Sequence, residues 1–147
     1  MLHLGMTGTR EKLTLEQFSW LDIMIQECDV LHHGACVNAD EDAHDAAFDY
    51  YKGIVIHPPT NERLMMPRWK FEQAAEIRPA KPYNARNLDI VRESDRLIAL
   101  PNGPYRQGSG TWNTIGFAEG MFKRVTICYP DGTVEDRVPK VSNNDRH

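Results

Sequence analysis

Asp95-Arg96-Leu97-Ile98-Ala99-Leu100-Pro101, followed shortly by Gly108-Ser109-Gly110-Thr111-Trp112, decides the fold of this chain. The first stretch is a short apolar run closed by proline, which suits a strand covered on both faces. The second is a glycine-containing loop that leads into a helix. Unpaired N–H groups and the positive end of a helix dipole converge at such a junction and make it an anion site, with phosphate the obvious guest. Around this core the pattern continues: Asn87 to Ser94 reads as a helix before the strand, Thr111 to Phe122 as a helix after it, and Arg124 to Tyr129 as the next strand.

Towards the N-terminus the alternation repeats. Leu2 to Met6 is a strand candidate that runs into the turn Thr7-Gly8-Thr9-Arg10. Thr14 and Gln17 have capping-box spacing, and Phe18, Leu21 and Ile25 recur at helical intervals, which predicts a helix from Thr14 to about Cys28. Val30 to His33 is a second strand ended by Gly34. Asn38 or Asp40 is placed to cap a helix carrying Ala43, Ala46, Ala47, Tyr50 and Tyr51, and Gly53 to His57 is a third strand. Pro58-Pro59 stops it, and 58–83 reads as an irregular excursion with a weak helical patch between Trp69 and Glu76. Strands alternating with helices predict an α/β fold: a Rossmann-like, mostly parallel five-stranded sheet with helices on both faces, spanning 1–130. Residues 131–147 read as a polar, frayed tail.

Composition narrows the function. With 21 acidic against 17 basic residues and a pI near 5.8, the chain has no broad attraction for nucleic acid or anionic lipid. Its apolar runs are far short of a membrane span. Cys28, Cys36 and Cys128 form no CxxC pair, and the N-terminus lacks a signal-peptide pattern, so a cytoplasmic protein is expected. There are six histidines but no HExxH spacing, and adjacent His32 and His33 on a strand point to opposite faces, so no metal and no resident cofactor are expected.

Ligands of open parallel sheets bind beyond the carboxyl ends of the strands, where this sequence gathers small and hydroxyl residues. The first loop offers Gly5, Thr7, Gly8, Thr9 and Arg10. The second offers His33, Gly34, Ala35, Asn38 and Asp40. The loop after the strand at 95–100 offers Asn102, Gly103, Gly108, Ser109, Gly110 and Thr111. Arg86, beside Asn87 at the head of a helix, is suited to grip phosphate bidentately, the alternative being a surface salt bridge. Asp40, in the acidic trio Asp40-Glu41-Asp42, is the candidate catalytic carboxylate; helix capping is the plainer role for the trio. Leu64, Met65 and Met66 suggest an apolar patch covered in a homo-oligomer.

Gly5-Met6-Thr7-Gly8-Thr9-Arg10, His33-Gly34-Ala35 with Asn38-Ala39-Asp40, Arg86-Asn87, Ser94 to Leu100 and Gly108-Ser109-Gly110-Thr111 together resemble the SLOG superfamily, most closely its small YspA-like Rossmann proteins of bacteria and phages. The resemblance runs from residue 1 to about 129. It implies a Rossmann-like sheet that binds a nucleotide or a nucleotide-derived small molecule. Cytokinin-activating phosphoribohydrolases and nucleoside deoxyribosyltransferases are more distantly similar. Where they carry a catalytic glutamate after the glycine loop, this chain has Thr114, and a hydroxyl does not replace that carboxylate without an activating base. Binding or sequestration therefore leads. An N-glycosidic hydrolase or transferase using Asp40 is second, and an oligomeric scaffold with a vestigial site is third.

Overall fold

A computed structural model describes residues 1–140. Its sheet has seven strands where the sequence suggested five, in the order β4-β3-β2-β1-β5-β6-β7. The chain runs β1 (His3–Gly8), α1 (Leu15–Glu27), β2 (Val30–His33), α2 (Ala39–Asp49), β3 (Gly53–Ile56), a 3-10 turn (Arg68–Gln73), β4 (Glu76–Ile77), α3 (Tyr83–Glu93), β5 (Arg96–Leu100), α4 (Gly110–Gly120), β6 (Arg124–Cys128) and β7 (Val134–Arg137). All pairings are parallel except β6 with β7. From β1 the chain builds outward through β2, β3 and β4, then crosses back to lay β5 against the other side of β1.

The two additional strands were hidden for different reasons. β4 is only two residues long and lies inside the excursion, where it extends the sheet beside β3. β7 lies in what read as tail: its residues Val134-Glu135-Asp136-Arg137 are mostly charged, which is how an edge strand avoids pairing with other chains. A turn through Gly132, at φ 89°, folds it back on β6. Arg124 pairs with Asp136 across that ladder at 2.8 Å. The remainder of the expected tail, 141–147, lies outside the described residues.

Alternation along the inner strands divides the core. Leu4 and Met6 of β1, Leu31, Ile54, Ile56, Ile98 and Leu100 face α1 and α2. Leu97, Ala99, Val125 and Ile127 face α3 and α4 with Ile90, Val91, Trp112 and Ile115. Thr14 caps α1 as the spacing predicts, its Oγ1 accepting from the Gln17 N–H at 3.1 Å. The inward face of α1 differs from the expected one. Phe18 is half exposed, while Gln17 is buried and its Nε2 donates to the carbonyls of Pro101 (2.8 Å) and Cys128 (2.9 Å). One amide thus ties the ends of β5 and β6 to the first turn of α1. The expected cap of α2 is not formed either. Asn38 sits at the cap position with φ 68°, and its side chain donates to the Arg10 carbonyl instead.

None of the residues read as an exposed apolar patch is fully exposed: Leu64 and Met65 are half-buried. Met66 is buried in the main core and Met65 packs against it, because 64–66 hydrogen-bonds along 35–37. Residues 64–66 therefore form no exposed apolar patch of the kind a homo-oligomer would cover.

Candidate functional site

The order of strands reverses between β1 and β5, and the loops leaving their carboxyl ends run to helices on opposite faces of the sheet. A crevice opens at such a point as a matter of topology. Here it is a cleft of about 320 Å³, within the range of small-molecule sites.

The structure brings most of the proposed site residues to this cleft. Thr7, Gly8, Thr9 and Arg10 come from the end of β1, Gly34 and Asp40 from the second loop and α2, Arg86 and Asn87 from α3, and Asn102, Gly108, Ser109, Gly110 and Thr111 from the loop into α4. Five others do not line it. Gly5 is mid-strand, where a side chain would strike Ser94, with its Cβ at 2.9 Å. His33 is fully buried on the opposite face of the sheet, where its Nδ1 accepts the Ala35 N–H and its Nε2 bonds Nδ1 of His44 at 2.9 Å. Ala35 is wholly buried, Asn38 is committed to Arg10, and Gly103 lies outside the lining. Conversely, Met6, Glu11, Cys36, Ile90 and Arg106 line the cleft without having been singled out. Ile90 was visible as the same helix face as Arg86, one turn on. Cys36 and Arg106 carried no local signal.

The glycines of the cleft are small for different reasons. Gly8 and Gly34 are small because of packing. A Cβ on Gly8 would sit 2.5 Å from Ala39 Cβ, and one on Gly34 would collide with the Arg86 guanidinium. Gly108 has φ +83°, which favours glycine. Gly110 differs from Gly8 and Gly34 because no heavy atom lies within 4 Å of where its Cβ would be, and from Gly108 because its φ is not left-handed. Packing does not require glycine there, and the open space is the cleft itself. Ser109 caps α4 by accepting the Trp112 N–H at 3.3 Å, and the Asn113 N–H bonds the Ser109 carbonyl. The N–H groups of Gly110 and Thr111, first in the helix, have no partner within it, and both residues line the cleft.

Electrostatics also favour an anion. Arg10, Arg86 and Arg106 line the cleft against Glu11 and Asp40. Arg86 is only 4% exposed. Its Nη1 donates to the carbonyls of Gly34 and His57, its Nε has no hydrogen-bond partner, and no carboxylate forms an ion pair with it among the described residues. The Tyr83 ring sits 4.2 Å from the Arg10 guanidinium and 5.4 Å from that of Arg86, which fixes both cations at one end of the cleft. Burial raises the Asp40 carboxyl above the ordinary range, opposed by the charge of Arg86 and the Cys36 N–H that Oδ2 accepts at 3.1 Å.

Thr114 is fully buried within α4, its hydroxyl donating to the Gly110 carbonyl at 2.8 Å, and it does not line the cleft. The position at which the catalytic families of the resemblance carry glutamate is therefore buried in this chain. Glu41 and Asp45 hold Lys70 at 2.8 Å, and Glu119 pairs with Arg137, so these acids have structural partners. Trp112 is buried between Tyr105 and Tyr129, and Trp69 stands in solvent away from the cleft.

No protein-family model matches the sequence, and comparison with curated proteins gives no match. Among solved structures, the chain is similar to the molybdenum cofactor binding protein from the phototrophic bacterium Rippkaea orientalis, at TM-score 0.68 and 21% identity over 87% of this chain and 76% of that one. It is also similar to the structural-genomics target TM1055, at TM-score 0.60 and 16% identity over 85% and 72% of the two chains. These likenesses show a shared Rossmann-like α/β fold. No helix among the described residues is long and apolar enough to cross a membrane.

Proposed function

We propose that this protein binds a nucleotide-derived small molecule in the switch-point cleft, with a phosphate seated between the head of α4 and Arg86. The carrying observation is Arg86: a buried guanidinium that lines a polar cleft, is held by backbone carbonyls, and has no carboxylate partner among the described residues. A buried cation with no carboxylate in direct ion-pair contact is costly, and an anionic ligand relieves that cost with charge-assisted hydrogen bonds. The open space at Gly110 and the adjacent helix-head N–H groups supply the second half of the grip. The fold agrees with the resemblance to the SLOG superfamily, and one similar structure is that of a protein named for binding the molybdenum cofactor. Both support a small-molecule ligand.

Holding or sequestering the ligand ranks above turnover, since the glutamate of the catalytic relatives is replaced by a buried threonine. A second reading, cleavage or transfer at an N-glycosidic bond, has one observation in its favour: Asp40 lines the cleft with a carboxyl raised by burial, as suits a general acid. The test is mass spectrometry of small molecules released from heat-denatured protein, followed by incubation with the compound found. An unaltered phosphorylated compound supports binding, and conversion that Asp40→Asn abolishes supports the enzyme. The absence of any bound or stabilising phosphorylated compound refutes both.

A further inference from the structure

The α3-facing side of the sheet carries a second polar cluster that the cleft does not use. His32 is level with Gly5 in the β1–β2 register, so it shares the face that Gly5 presents to α3, and His57 follows β3 two residues beyond Val55, the partner of His32. Both are buried, at 1% and 2% exposure. His32 Nδ1 lies 3.0 Å from His57 Nε2, and His32 Nε2 lies 2.9 Å from Nδ1 of His3. From the last turn of α3 comes Glu93, whose Oε2 is 3.9 Å from His57 Nδ1. The sequence expectation of no metal rested on His32 and His33 facing opposite ways. They do, but the partners of His32 come from other elements.

We infer that His32, His57 and Glu93 form a binding site for a divalent cation of intermediate softness, zinc foremost. One donor atom from each residue lies within 4.8 Å of the others, and two imidazoles with one carboxylate are a recurrent zinc donor set. The 3.0 Å between His32 Nδ1 and His57 Nε2 is near the roughly 3.3 Å separating two tetrahedral ligands at zinc–nitrogen distances of about 2.0–2.1 Å. An ion takes the place of that hydrogen bond. The other ring nitrogen of His32 then has the partner that a ligating histidine needs, its Nε2–H donating to His3 Nδ1 at 2.9 Å. His57 Nδ1 is a buried nitrogen without a hydrogen-bond partner, 3.9 Å from Oε2 of Glu93. Arg78 Nε and Nη2 hold Oε1 of Glu93 at 2.9 and 2.6 Å, which leaves Oε2 turned towards the imidazoles. Burial keeps both histidines at about 4, well below the usual imidazole range, so they are neutral and ready to ligate at neutral pH. Arg78 and Arg86 oppose a cation here and Asp89 favours it with Glu93. Moderate affinity is therefore expected.

Metal-stripped full-length protein titrated with Co²⁺ tests this. One ion per chain is expected, with the visible absorption of a four-coordinate site, displaced by zinc. Glu93→Gln is the decisive variant, since Glu93 lies at the partly exposed end of α3 and its loss spares the core. It should weaken binding at least tenfold, the lower bound seen when even a supporting group of a metal site is lost. His57→Gln should abolish the spectrum, and His44→Gln should leave it unchanged. Stoichiometric binding that survives both Glu93→Gln and His57→Gln at wild-type affinity overturns the assignment, as does a wild type that binds no cobalt or zinc at micromolar concentration. If His57→Gln fails to fold, Glu93→Gln alone decides.

Discussion

Gly110→Asp separates the proposed anion site from the fold. The glycine opens α4, its φ lies outside the left-handed region, and an added Cβ meets nothing within 4 Å. The substitution therefore carries no steric penalty in the folded chain. Removing the conformational freedom of glycine stabilises by roughly 0.5–1 kcal/mol, and a carboxylate at a helix head adds about 0.3–1 kcal/mol. A gain of about 1 kcal/mol corresponds to a melting temperature raised by ~2–4 °C in a chain of this size. For a phosphate at the same helix head the effect is opposite. Two unit charges about 4 Å apart repel by ~1 kcal/mol in water and ~4 kcal/mol at an effective dielectric of 20, so affinity should fall by about one to three decades. Thermal melting by circular dichroism reads the first effect. Calorimetric titration with whichever phosphorylated compound the wild type retains reads the second, with Gly110→Ala separating shape from charge. Wild-type affinity in Gly110→Asp would refute the placement of phosphate. A variant that melts well below wild type would show that the space at Gly110 is not open.

Four further outcomes are expected. Arg86→Ala should weaken the same compound by roughly 1.5–3 kcal/mol, one to two decades by calorimetry, and Arg86→Lys should recover only part because it cannot bind bidentately. Gln17→Leu leaves the carbonyls of Pro101 and Cys128 without their donor, so urea unfolding should show a loss of about 2–3 kcal/mol, and hydrogen exchange should rise around 101–109. Gly108→Ala forces a side chain into φ +83°, a loss of about 1–2 kcal/mol that contrasts with Gly110→Ala in the same loop. Burial first, then Asp45 and Glu41, raise the Asp42 carboxyl from 3.8 to about 6. The folded protein thus holds that proton more tightly than the unfolded chain, and stability falls as pH rises between these values. Asp42→Asn should raise the melting temperature by ~2–4 °C above pH 6, about 1 kcal/mol after allowance for its partial exposure, and do nothing near pH 3.5.

The α/β alternation, the parallel core strands and the position of the cleft were legible because they rest on local signals. Runs such as Leu97 to Leu100 have the composition of a doubly covered strand, Thr14 and Gln17 satisfy each other three residues apart, and a chain of alternating strands and helices must place its loops at the carboxyl edge of the sheet. What escaped was set by distant partners. β7 reads as polar tail until β6 lies beside it, and β4 is too short to show any period. Gln17 reads as a capping residue; only the folded chain brings the carbonyls of Pro101 and Cys128 to its amide.

The site divides along the same line. From sequence alone, Arg86, Asp40 and the Gly108–Thr111 loop stood out by residue type and by the elements they open. Tertiary packing decided the rest. Gly5, Gly8 and Gly34 are small because Ser94, Ala39 and Arg86 press on them, whereas Gly110 borders open space. His33 turns away to His44 while His32 joins His57 and Glu93. Residue identity limits what a group can do chemically. Which groups face one another across the sheet depends on register and helix placement, and those are settled by the burial of the whole core rather than by any short stretch of sequence.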